Sequence, residues 1–398
     1  MNAQLRALFL MLFLWILALG ATLSLSAQQA GTKPGDPLPN LTARQFAEFR
    51  LGLEDFLEVE TADDGLGPAF NGTSCAACHN IPAVGGAGIL LETRVGYRDP
   101  DGTFRGLNAA GDTLMHLFST PAHSCQPIIP DDVTIVARRA PIPLFGAGLV
   151  EAIPDDTLLA LQDPDDRNRD GISGRAAVIE DIATGTARVG RFGWKAQHAT
   201  LLAFAGDAYL NEMGISNDLF HHDTVFGVPP ERMRLCDSTP DPEDRPDPAT
   251  GRRGIDNFES FMRLLAPLDR GPQTQQSRDG EQIFTAIGCA SCHVPGLTTG
   301  PSRDALFDRK VIRLFSDLLL HDVGTGDGIQ QAAASPEEIR TPALWGLRAR
   351  RPLLHDGSGA TAADAIMRHR NEAELARLGF ERLSPDDRSR LIAFLNSL

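Results

Sequence analysis

Positive charge is in short supply: 37 Lys and Arg stand against 52 Asp and Glu over 398 residues, a formal net charge of −15. An acidic surface repels a phosphate backbone, so nucleic acid is not an expected partner; a basic or small partner, or solubility alone, suits this charge. Aromatic rings are scarce too, at 6% of residues against 42% hydrophobic overall, so the core has fewer large rings than usual. One long apolar run exists, from Ala7 to Leu25 after Arg6, and it ends in Ser24-Leu25-Ser26-Ala27 before Gln28-Gln29. It reads as a secretory signal peptide over 1–27 cut after Ala27; an uncleaved membrane anchor is the other reading, because the run is just long enough to span a bilayer.

Cysteine is also sparse, at 6 residues, but four of the six fall in two copies of one word. They are Cys75-Ala76-Ala77-Cys78-His79 and, 214 positions later, Cys289-Ala290-Ser291-Cys292-His293. C-x-x-C-H is the attachment sequence for haem c: the cysteines form thioethers to the two vinyl groups, and the histidine after them ligates the iron. A redox dithiol or half a zinc site also uses C-x-x-C, but neither calls for the adjacent histidine twice over. Two covalently bound haem c groups are therefore expected, and two porphyrins would supply apolar volume that the side chains lack. Haem is attached outside the cytoplasmic membrane in bacteria, so a periplasmic location is expected, with membrane association only if the signal segment is uncleaved. Cys125 and Cys236 remain, an even pair in an oxidising compartment, for which a disulfide in surface loops is the simplest account.

The length suits two domains, each built round one haem. Residues 28–40 are a Pro/Gly-rich flexible leader. Thr42 then caps a helix whose Phe46, Phe49, Leu53 and Phe56 form one stripe running towards the first haem word. From Asn80 to about Arg270 the chain is irregular, with β-prone stretches such as Val133-Thr134-Ile135-Val136. A second helix through Gly280-Glu281-Gln282-Ile283-Phe284 leads to the second word. Ser384-Pro385-Asp386-Asp387 opens a terminal helix whose Leu391, Phe394, Leu395 and Leu398 should cross it. The expected fold is mainly α, with an N-terminal haem c domain over 41–272 carrying a large insertion with minor β, and a C-terminal haem c domain over 273–398.

Two stretches within the insertion stand out. Asp166, Asn168 and Asp170 before Gly171 match positions 1, 3 and 5 of a calcium loop, but Ala177 stands where the acidic twelfth residue belongs, so a complete EF-hand is excluded. Calcium completed by a remote carboxylate and a plain Asp/Gly turn both stay open. In Gly190-Arg191-Phe192-Gly193-Trp194-Lys195, Trp194 either touches a porphyrin, with Arg191 or Lys195 on a propionate, or is a core ring between solvated cations.

The string TPALWGLRARRPLLHDGSGATAADAIMRH resembles the TPxLRN…PYxHDG…TLxxAV region of bacterial di-haem cytochrome c peroxidases and of the methylamine-utilisation maturase. GLGPAFNGTSCAACH, PIPLFGAGLVEAIPD, GRFGWKAQHATL and HRNEAELARLGFERLSPDDRSRLIAFLNSL are similar to the di-haem oxidoreductase family of peroxidases, sometimes labelled thiol oxidoreductases. The likeness covers nearly all of residues 40–398. It implies that electrons enter at the C-terminal haem and that peroxide is reduced at the N-terminal one. In the peroxidases the sixth ligand of the C-terminal haem is a methionine 14 residues after the HDG histidine; here that position is His369, with Met367 as the competing ligand. A His293/His369 pair would lower this haem's potential relative to a His/Met pair. His355 and His321 match family positions beside the haem, with a hydrogen bond to a propionate or backbone expected of each.

For the N-terminal haem the candidates for the sixth position are His116, His123 and Met115, none matching a family ligand. O–O cleavage also needs an acid, for which Glu151 is the first choice and Glu92 the second. His198, His221 and His222 read as structural. The resemblance thus implies a periplasmic di-haem peroxidase-type oxidoreductase, with a small redox protein as partner and hydrogen peroxide or another small oxidant as substrate. The alternatives are an electron-transfer cytochrome without turnover and maturase-like oxidation of a partner protein.

Overall fold

The computed structural model describes residues 32–107, 111–120, 125–223, 225, 227, 228, 233, 235, 236 and 244–398. The signal segment, the start of the leader and His123 lie outside the described residues. Residues 32–398 form one compact unit, in which helices outweigh strands. No described helix is long and apolar enough to cross a membrane.

Helix α1 (Ala43–Leu57) begins as its capping box dictates: Thr42 accepts from the Gln45 N–H at 3.2 Å and the Gln45 side chain returns a bond to the Thr42 N–H. Phe49 and Phe56 are buried, but Phe46 is about half exposed, because the stripe meets its partner only further along the helix. The partner is α3 (Gly254–Leu264), and Gly52 marks the crossing: a Cβ there would stand 2.2 Å from the Asn257 carbonyl. Between them in sequence, α2 (Leu201–Met213) is capped by Thr200 and packs on α3.

The C-terminal part repeats this device. In α4 (Gln275–Ala286) a Cβ at Gly280 would stand 2.0 Å from the Arg390 carbonyl of α5 (Pro385–Leu395), so the two helices cross backbone to backbone. Ser384 caps α5 by accepting from the Asp387 N–H at 3.1 Å, with Pro385 at its first position. Phe284, Phe315 and Phe394 meet edge to face at this crossing and head a hydrophobic cluster with Leu391, Leu395 and Leu398. A larger cluster gathers α1, α2 and α3.

The insertion carries the longer strands. β1 (Glu92–Arg98) pairs antiparallel with β2 (Ile135–Arg139), Val95 opposite Val136, and β3 (Ala177–Asp181) forms a hairpin with β4 (Thr186–Gly190). β2 alternates strictly, Ile135, Ala137 and Arg139 inward and Val136 and Arg138 outward, so an arginine ends up facing the interior. The regular strand starts at Ile135, two residues later than the β-prone stretch suggests. Cys125 and Cys236 form a disulfide with Cα atoms 5.8 Å apart, and both residues are buried rather than in surface loops.

Candidate active site

Both haem words fold alike. Each makes a single helical turn, and the N–H of its histidine donates to the carbonyl of its first cysteine at 3.0 Å, His79 to Cys75 and His293 to Cys289. The turn places both cysteines and the histidine of each word on the wall of one cavity. The cavities are open to solvent and hold about 1270 Å³ and about 1610 Å³ of empty space respectively, part of it outside the walls. Gly88 permits the first arrangement: a Cβ there would stand 1.8 Å from the Cys78 carbonyl. None of these four cysteines is in a disulfide, and burial raises the Cys75, Cys78 and Cys289 thiols above the ordinary range.

The imidazoles are set as iron ligands would be. His79 donates from Nδ1 to the Gly86 carbonyl at 3.0 Å, with the Ile142 carbonyl also bonded to its ring, and His293 donates from Nδ1 to the Phe315 carbonyl at 3.2 Å, which leaves the His293 Nε2 as the unprotonated nitrogen. Burial lowers both, His293 to about 4, so neither carries a charge. His369 shares the second cavity with His293 and follows the same rule, donating from Nδ1 to the Ala365 carbonyl at 2.8 Å. Met367 packs instead among the partly buried residues of the C-terminal cluster and is not on the cavity wall.

No second histidine lines the first cavity among the described residues. His116 and Met115 are buried off its wall; the His116 Nε2 donates to the Asn211 carbonyl at 2.9 Å and its Nδ1 has no partner. What the cavity does hold is a pair of carboxyl groups. Glu92 and Glu212 hydrogen-bond each other across it. Burial, then the Glu92 charge, pushes Glu212 up to about 8, while Arg94, 2.7 Å from Glu92, draws Glu92 below the usual carboxylate range despite burial. One proton is thus held on Glu212 at neutral pH, and Asn71 donates to the Glu212 Oε2 at 2.9 Å.

Glu151 stands elsewhere. It accepts from the Leu201 N–H at the start of α2 at 2.8 Å and pairs with Arg263 at 2.7 Å, off the wall of either cavity. Arg191 and Lys195 are likewise committed and buried, so neither alternative left open for them, a propionate contact or a solvated cation, is what the structure shows. Arg191 bonds Asp155 and the Ile153 carbonyl, and Lys195 donates to three backbone carbonyls and pairs with Asp327 at 3.1 Å. Two arginines that the sequence reading did not single out line the cavities. Arg139 lines the first cavity, its Nε paired with Asp327 at 2.7 Å and its Nη1 bonded to Gln331 at 2.6 Å, which leaves only Nη2 buried and unpartnered; Arg350, beside Arg340 in the second cavity, likewise has a buried, unpartnered Nη2. Burial pushes Arg340 and Arg350 down to about 10, the signature of cations short of an anion.

Trp194 lines both cavities. Its Nε1 donates to the Ala140 carbonyl at 2.8 Å, the Arg350 guanidinium lies 5.0 Å over its ring, and His355 meets it edge to face at 6.0 Å. His321, at the second cavity, is clasped by Asp317 at 2.9 Å and Glu372 at 2.8 Å rather than by backbone, and these bonds raise it to about 12 despite burial. Asp170 lines the second cavity, while Asp166 and Asn168 do not; all three accept N–H groups of their own loop.

Residues 108–398 match the model of the family described as "Di-haem oxidoreductase, putative peroxidase". The chain belongs to this family. Membership implies two haems, and the residues present fit them: each cavity holds the buried histidine of its word and an arginine with a buried, unpartnered Nη2. The matched segment begins after the first haem word, so that word rests on its own residues. No curated protein matches the chain. Among solved structures, this di-haem oxidoreductase is similar to the diheme peroxidase BthA from Burkholderia thailandensis, at 16% identity over 93% of this chain and 89% of that one, with a TM-score of 0.42. It is similar also to hydrazine synthase of Kuenenia stuttgartiensis, at 15% identity over 95% and 98% with a TM-score of 0.37, and to a MauG-like protein associated with microbial copper homeostasis, at 16% over 71% and 95% with 0.33.

Proposed function

We propose that this di-haem oxidoreductase is a periplasmic peroxidase with one haem c bound covalently at Cys75, Cys78 and His79 and another at Cys289, Cys292 and His293, in domains spanning 41–272 and 273–398. Electrons enter at the second haem site from a small redox protein, and peroxide is reduced at the first. The observation that carries this reading is the asymmetry of the cavities. The second brings a pre-oriented His369 to face the same space as His293, whereas the first offers, in place of another histidine, a carboxyl pair that holds one proton.

A haem at the first site supplies an iron that binds peroxide and takes part in its reduction. The protein's share is proton delivery and electrostatic order. Glu212 gives its proton to the departing oxygen, and Glu92, held anionic by Arg94, sets the neighbouring charge that keeps that proton in place. The acid role expected of Glu151 passes to this pair, because Glu151 is engaged in capping and in an ion pair. Arg139 and Arg350 receive haem propionates, and Trp194, on both walls, joins the sites. The reading needs no calcium, since Asp166, Asn168 and Asp170 are occupied by their own loop.

Electron paramagnetic resonance of the ferric and half-reduced holoprotein tests it. One low-spin bis-histidine haem and one haem that becomes high-spin and binds cyanide or fluoride are expected. Two low-spin haems in every redox state, with no anion binding, would replace the peroxidase with an electron-transfer cytochrome.

A further inference from the structure

Tyrosine occurs twice in the chain, and the two residues sit in opposite settings. Tyr97 is at the surface, its hydroxyl donating to Asp132 at 3.2 Å with Arg105 over its ring. Tyr209 is buried on α2, lines the first haem cavity and meets Phe258 edge to face at 5.1 Å. Its hydroxyl donates to Glu60 Oε1 at 3.3 Å, and Glu60 is itself buried. Glu60 is fixed to the chain that enters the first haem word, its N–H donating to the Thr73 carbonyl at 2.8 Å. Burial, reinforced by Glu58 and then Asp64 and Asp55, raises Glu60 to about 7, so this carboxylate can take up a proton under neutral conditions. A buried phenol gives up an electron readily only if its proton leaves as well, because the oxidised phenol cation has no solvation there. Tyr209 has the acceptor for that proton already in hydrogen-bond contact.

We propose that Tyr209 is a redox-active residue of the first haem site, oxidised to a neutral phenoxyl radical when peroxide is reduced there, with Glu60 as the acceptor of its proton. The step balances as follows. Hydrogen peroxide takes up two electrons and two protons to give two waters; the phenol would supply one electron and the iron of the bound haem the other, Glu212 one proton and solvent the second, and a further electron from the second site would restore the iron. The Tyr209 O–H bond breaks, a Glu60 O–H bond forms, and the proton returns when an electron from the second site reduces the radical.

The inference rests on peroxide reduction at the first haem, and one experiment separates the two. Holoprotein is mixed with hydrogen peroxide, freeze-quenched and examined by electron paramagnetic resonance alongside the haem absorption, with natural and with ring-deuterated tyrosine. The expected result is a radical whose hyperfine width collapses on deuteration, is lost in Tyr209→Phe and persists in Tyr97→Phe. Glu60→Gln should slow its appearance by roughly 100-fold, the lower range for a positioned proton acceptor. If the haem spectrum responds to peroxide but no deuteration-sensitive radical forms, or if the radical survives Tyr209→Phe, Tyr209 is a structural hydrogen-bond donor and the peroxidase reading stands. If the haem spectrum does not respond at all, both readings fall.

Discussion

In the proposed peroxidase, the proton on Glu212 sets when the first site can deliver an acid. Its pKa is raised to about 8 from an ordinary 4.5, so the proton is present through neutral pH and is lost as pH rises through about 8. The same shift favours folding most fully below the ordinary carboxyl range, a contribution that fades as pH climbs towards 8. The rate of peroxide consumption should therefore fall across that interval in steady-state assays, and Glu212→Gln should both remove the inflection and lower the plateau by roughly 100-fold. An inflection that persists in the variant would belong to another group. At the second site the corresponding question is the identity of the sixth ligand. His369→Met should keep that haem low-spin while raising its midpoint potential, since a thioether favours reduced iron more than an imidazole does; redox titration reads the shift. The place of His369 in the same cavity as His293 was legible in the sequence because the resemblance put that position beside the haem. The Glu92–Glu212 pair was not, because its partners are 120 positions apart and neither carboxylate belongs to a motif.

The helices were legible where periodicity and caps speak for themselves. Thr42 and Ser384 with Pro385 mark the starts of α1 and α5 in the sequence, and both helices begin there. Phe46 shows the limit of a stripe: periodicity names a face but not how far along it the partner reaches, and here α3 crosses at Gly52. The glycines at the two crossings carry a prediction at this scale. Gly280→Ala puts a methyl 2.0 Å from the Arg390 carbonyl, so α4 and α5 must separate; overpacking of this kind costs about 1–3 kcal/mol. A lower denaturant midpoint and reduced haem content at the second site alone are expected. An unchanged midpoint would mean that the helix pair can slide.

Across the whole molecule, Trp194 is the one side chain found on both cavity walls among the described residues. Trp194→Phe keeps an aromatic ring but loses the bond to the Ala140 carbonyl, a change that should leave both haem spectra in place and slow electron exchange between them. Transient absorption after partial reduction measures that exchange, and an unchanged rate would remove Trp194 from the path. The sequence by itself determined the two haem words, the caps and the helical stripes, because a five-residue spacing and a 3.6-residue period are local constraints that any tertiary arrangement must respect. Only the tertiary structure decided which cations stay short of an anion, which carboxyl keeps its proton, and that Glu151, Arg191 and Lys195 are consumed by packing. Charge pairing and desolvation depend on what lies within a few ångströms in space, and residues from β1, β2, α2 and the loop after α1 meet there only once the chain has folded.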